Sequence, residues 1–110
     1  MKIVTLLRHA KSSWKDPHLS DIERPLNKRG RRDLPLMGQR LAGQEFKPQL
    51  IICSPALRAV TTAEGIAAAI AYDVAQICID RRIYDASSDA LLNILHGQND
   101  RCEHVMLTGH

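Results

Sequence analysis

Apolar positions along this chain gather into four short, nearly unbroken runs, and the segments between them carry helical spacing or turn residues. Residues 2–7 lead, a continuous β-branched stretch of the kind expected for a strand buried on both faces. "QLIICS" at 49–54, "VAQICI" at 74–79 and "HVMLTG" at 104–109 predict three further strands. "DPHLSDIERPLN", residues 16–27, is a polar loop punctuated by Pro17 and Pro25. Asn27 is placed to cap a helix whose core face is Leu34, Met37 and Leu41, with Pro35 expected to kink or restart it. "PALRAVTTAEGIAAAIA", 55–71, opens with Pro55 at a helix-starting position and continues as alanine-rich helix. Ser87 or Ser88 caps a third helix through "DALLNILHG", closed by Gly97. Alternation of strand and helix predicts an α/β layer fold with a mostly parallel sheet.

Parallel sheets bind ligands beyond the carboxyl ends of their strands. That rule collects Arg8 and His9, Ser54 and Arg58, Asp80, and His110 on one rim. The 110 residues are expected to form one domain, 1–110, large enough for a core without disulfides. No apolar run approaches the ~20 residues of a membrane span. Met1-Lys2 runs straight into the first strand without a signal-peptide pattern. Cys53, Cys78 and Cys102 are odd in number, lack C-x-x-C spacing and sit in or beside apolar stretches, which reads as buried reduced thiols in the cytoplasm.

Charge sharpens the picture. The net charge is +3, with Lys11, Lys15, Arg24, Lys28, Arg29, Arg31 and Arg32 crowded into the first third. Aromatic residues make up only 4% and are not interleaved with the basic ones, which argues against a nucleic-acid stacking surface. Anionic small molecules or a phosphorylated protein suit this distribution better. The run from Lys28 to Arg32 is a solvated helix start or a docking patch for a partner.

Two histidines and two arginines on one rim describe an anion site, because the guanidinium fork matches phosphate oxygens. The start of the 55–71 helix would add backbone N–H groups. A histidine there can attack phosphorus and carry the phosphoryl group, while a second donates to its oxygens. Zinc held by two histidines and Asp80 is the competing reading, but adjacent arginines would repel the cation. Ser54 fits a helix cap better than a nucleophile, since no base accompanies it. Trp14 reads as a lid or packing residue. His18, His96 and His104 read as ordinary loop, helix-end and strand-start residues.

"LLRHAKSSW", "ERPLNKRG", "SPALRAVTTAE" and "MLTGH", in that order at successive strand ends, resemble the histidine phosphatase superfamily, also called phosphoglycerate mutase-like. Within it the chain looks most like the SixA-type phosphohistidine phosphatases. The resemblance implies a three-layer α/β/α phosphoryl-transfer fold with no metal and no cofactor. His9 would be the phosphorylated nucleophile, Arg8 and Arg58 would clamp the phosphoryl oxygens, and His110 would complete the pocket. Arg24 would lie at its edge, and Ser12 of the first motif would join the substrate-binding residues. The substrate implied is phosphohistidine in a protein partner, or else a small phosphate ester. A non-catalytic phosphate-binding module is the reading outside enzymes.

Two departures stand out. Mutase-type relatives carry a catalytic glutamate after the third strand, where this chain reads "DRRIYDAS". Asp80 is then either the acid or an ion-paired turn residue. A weak acid suits an imidazole leaving group, because the P–N bond of phosphohistidine breaks more readily than a phosphate ester. Family members also continue past the final G-H. The expectation is therefore a domain incomplete at its C-terminus, and a 110-residue chain that is weakly active and marginally stable.

Overall fold

The computed structural model describes residues 3–84, 87–97 and 103–109. Its strands are β1 (Ile3–Arg8), β2 (Leu50–Cys53), β3 (Cys78–Ile79) and β4 (His104–Gly109). They form one all-parallel sheet in the order β1-β4-β2-β3. Three helices connect them: α1 (Lys28–Gly43), α2 (Leu57–Ala69) and α3 (Ser88–His96). Successive side chains of a strand face opposite ways, and the packing follows that alternation. Ile51, Cys53 and Met106 face α1 and α2 and pack with Leu34, Ala59, Ala63 and Ile66. Ile52, Val105 and Leu107 face the other way, against Ile94 of α3 and Ile83 of the 3₁₀ turn Arg81–Ile83. The result is a three-layer α/β/α arrangement with β4 in the sheet interior.

Helices α1 and α2 approach closely because small residues line their contact. A Cβ on Gly65 would overlap the Leu34 side chain, and one on Gly38 would overlap Ala69. Gly30 serves the site more directly. A Cβ there would strike the Lys11 backbone, so glycine lets the first turn of α1 press against the segment leaving β1. Asn27 caps α1 as expected, accepting a hydrogen bond from the Gly30 amide at 2.8 Å.

Several expectations need correction. β1 is an edge strand, with Ile3 53% and Leu6 66% exposed, because it pairs with β4 on one side and the described helices cover the neighbouring strands instead. The 74–79 strand shrinks to two residues. Val74–Gln76 forms a 3₁₀ turn, which the Asp73 side chain stabilises by accepting from the Ala75 amide. The buried stripe of α1 is Gly30, Leu34 and Gly38, at i, i+4, i+8 spacing, and leaves Met37 exposed. Pro35 does not start a new helix, since α1 runs through it at an exposed position. Of the thiols, Cys53 is buried but Cys78 is exposed, and Cys102 lies outside the described residues. Ser87 is the cap of α3, accepting from the Ala90 amide at 3.2 Å.

Candidate active site

Parallel pairing places the strand exits in line. The His9 amide donates to the Gly109 carbonyl at 3.1 Å, the Ser54 amide to Thr108 at 3.0 Å, and the Asp80 amide to Cys53 at 2.9 Å. Each residue leaving a strand is thus tied to the neighbouring strand, and His9, Ser54 and Asp80 share one rim. His110 follows Gly109 in sequence and lies outside the described residues, as does Asp85.

His9 is held by its own neighbour. Its Nδ1 sits 2.7 Å from the Ala10 carbonyl oxygen. A carbonyl only accepts, so Nδ1 is the donor, and the neutral ring carries its lone pair on Nε2. The Ala10 amide in turn donates to Thr62 Oγ1 at 3.0 Å, and that hydroxyl donates to the Arg58 carbonyl at 2.7 Å. One residue, Ala10, therefore links the His9 ring to α2 through both its carbonyl and its amide. Burial holds the His9 pKa below its ordinary value of 6.5; the bond to Ala10 opposes this, while the positive charges of Arg58, Arg8 and Arg24 add to it.

The arginines converge on an aspartate. Arg58 lies in the first turn of α2 yet is only 5% exposed. Its Nη1 donates to the Asp21 carbonyl at 2.6 Å and its Nη2 to Asp21 Oδ2 at 3.0 Å. Arg24 is 7% exposed and gives Nη1 to Asp21 Oδ1 at 2.8 Å, Nε to the Ser13 carbonyl at 3.1 Å and Nη2 to Ser12 Oγ. Its guanidinium stacks on Trp14, 3.3 Å from the ring centre. Trp14 is 76% exposed, so it covers Arg24 from the solvent side. Ser12 is a partner of Arg24 here, and Arg8 stands exposed at the end of β1. Tyr84 donates its hydroxyl to Asp21 Oδ2. These bonds pull the Asp21 carboxyl down to about 2, the Tyr84 bond most of all and Arg58 next.

Sequence reasoning passed over Asp21 and Tyr84. Asp21 had a signal, since "DIER" sets it three residues before Arg24, where one turn brings the two together. Tyr84 had none, because only folding brings it across 63 residues to Asp21.

Asp80 is ion-paired with Arg82 at the turn after β3. Its carboxylate accepts from the Arg82 amide at 2.9 Å and from Arg82 Nη2 at 2.6 Å, which holds its pKa below the ordinary value. In this arrangement the carboxylate is held in its ionised form. Ser54 is fully buried and its Oγ accepts from the Ala56 amide at 3.3 Å, capping the turn that precedes α2. Burial pushes the Cys53 thiol up to about 12, so it stays protonated and unreactive.

Residues 4–87 match the profile of the Histidine phosphatase superfamily (branch 1). The chain belongs to that superfamily. It superposes with a TM-score of 0.87 on a protein from Agrobacterium tumefaciens, a candidate phosphohistidine phosphatase SixA, at 33% identity over 97% of this chain and 68% of that one. A second candidate SixA, from Nakamurella multipartitia, gives 0.82 at 27% identity, over 99% of this chain and 59% of that one. An uncharacterized chloroplastic protein of Arabidopsis thaliana is 43% identical over 65 residues, 59% of this chain. The chain spans about 30% of that protein's length. The histidine phosphatase frame accounts for the phosphoglycerate mutase-like layering, and the chain is of SixA type within it. Among the described residues no helix is long and apolar enough to cross a membrane.

Proposed function

We propose that this chain carries the site of a metal-independent phosphatase that transfers a phosphoryl group to His9 and then to water. Its proposed substrate is phosphohistidine in a protein partner. The observation that carries this reading is the His9–Ala10 bond, which leaves Nε2 as the basic nitrogen among three arginine charges. In the first step the Nε2 lone pair forms a bond to phosphorus as the substrate's P–N bond breaks. The leaving imidazole keeps that electron pair and takes up a proton from solvent water. In the second step water attacks phosphorus, the P–Nε2 bond breaks, and inorganic phosphate leaves with His9 restored. Arg8 and Arg58 would neutralise the equatorial oxygens in both steps, which is the role a metal fills elsewhere. Among the described residues, no three His, Cys, Asp or Glu side chains gather into a metal site. His110 would donate to the same oxygens, as the family resemblance implies.

The state of the carboxylates supports the choice of substrate. An ester needs its leaving alkoxide protonated, and both carboxyls are held below their ordinary range, Asp21 by the Tyr84 hydroxyl first and then Arg58, and Asp80 by Arg82. An imidazole leaving group makes a smaller demand on an acid. The test is rapid mixing with a phosphohistidine protein, beside phosphoserine and p-nitrophenyl phosphate, followed by an alkaline quench. An acid-labile phosphate on His9 is expected, with fastest turnover on phosphohistidine. Label on Ser54 or Cys53, or phosphate binding with no turnover, would overturn the mechanism.

A further inference from the structure

We propose that Asp21 is the positioning residue of the anion clamp, the carboxylate that orients Arg58 and Arg24 toward His9 and is itself oriented by Tyr84. The proposal rests on the phosphatase reading of the site. Its basis is the way one residue divides its oxygens. Oδ1 receives Arg24, Oδ2 receives Arg58 and the Tyr84 hydroxyl, and the Asp21 carbonyl receives Arg58 Nη1 and the Arg24 amide. Arg58 is therefore gripped at both terminal nitrogens by one residue, which defines the plane of its guanidinium. Two of its five N–H donors are committed in this way.

Charge gives the arrangement its purpose. Arg24 and Arg58 are both more than nine-tenths buried and both positive. Side by side they would repel and drift apart, and one carboxylate between them holds the pair. Asp21 sits in the 3₁₀ turn Asp21–Glu23, Arg58 in α2, and Tyr84 just beyond the turn Arg81–Ile83 that follows β3. The loop between β1 and α1, the start of α2 and the exit of β3 thus meet at one carboxylate. A group that only stabilised the loop would not need to address both guanidiniums.

The experiment pairs kinetics with nitrogen-15 NMR of the Arg58 guanidinium. In the unmodified protein, rotation about the Arg58 Cζ–N bonds should be hindered. Asp21→Asn should release it and lower kcat at least ~10-fold while changing KM far less, as expected when a preorganised donor is misaligned. Tyr84→Phe should give the same changes in smaller degree, and adding it to Asp21→Asn should cost nothing more, because Tyr84 acts through Asp21. Asp21→Glu should recover part of the loss. Unchanged Arg58 signals and unchanged kcat in Asp21→Asn would overturn the proposal. If that variant does not fold, the same null result in Tyr84→Phe overturns it. Turnover missing from the unmodified protein would sink the phosphatase reading, while the Arg58 signals would still decide what Asp21 does.

Discussion

The hydroxyl of Thr62 accepts the Ala10 amide at 3.0 Å, and so ties the middle of α2 to the residue whose carbonyl holds the His9 ring. Thr62→Val keeps the shape and removes both hydrogen bonds. The Ala10 amide then lacks its partner, which should cost about 1 kcal/mol of stability. Turnover should fall further than stability explains, since the Ala10 carbonyl loses its register with Nδ1. Thermal melts and kcat, with Thr62→Ser as the variant that keeps the hydroxyl, separate the two effects.

Arg58→Lys keeps the charge but replaces a planar fork with a point charge that cannot span Asp21 and a phosphoryl oxygen together. Turnover should drop at least ~10²-fold, comparable to losing one preorganised donor. Wild-type rates in this variant would remove Arg58 from the clamp.

Acid should act on His9 and Asp21 in separate windows. The His9 pKa is depressed in the folded protein, so the neutral ring contributes stability that is present above 6.5 and lost as pH falls through the folded value. The acid limb of kcat/KM should accordingly lie below 6.5, and a limb above it would contradict the burial of this ring. Asp21 is depressed from 3.8 to about 2, so its contribution is present above 3.8 and lost on descending toward about 2. Asp21→Asn should flatten acid unfolding in that lower window and leave the upper one alone. Denaturation series at stepped pH read both.

Gly30→Ala places a methyl against the Lys11 backbone, which cannot swing aside as a side chain could. Overpacking of this kind costs about 1–3 kcal/mol. The loss should appear in urea denaturation and be accompanied by lower activity, because Lys11 belongs to the segment that leaves His9.

Ala71 offers the opposite outcome. Its φ is 61°, in the left-handed region, where it ends α2 while the Tyr72 amide bonds the Ala67 carbonyl at 2.8 Å. Ala71→Gly relieves the Cβ clash and should stabilise the protein by about 1 kcal/mol, read as a higher denaturation midpoint.

Local chemistry by itself determined the order of strands and helices, the parallel sheet and the rim on which His9, Ser54 and Asp80 leave their strands. Apolar runs, a capping Asn27 and a Ser87 before an amphipathic stretch are signals written within a few residues, and periodicity makes them legible. Burial was a different matter. Nothing in "IVTLL" states that β1 will lie at an edge, because its neighbours in the sheet decide that, while the turn that shortens β3 is set by Asp73, which lies just outside the apolar run "VAQICI". The inner workings of the site belong to the tertiary structure as well. Ser12 became a partner of Arg24, Asp80 was claimed by Arg82, and Asp21 emerged as the carboxylate shared by Arg24, Arg58 and Tyr84. Long polar side chains reach several ångströms in many directions, and only the packed fold selects which partner each one meets.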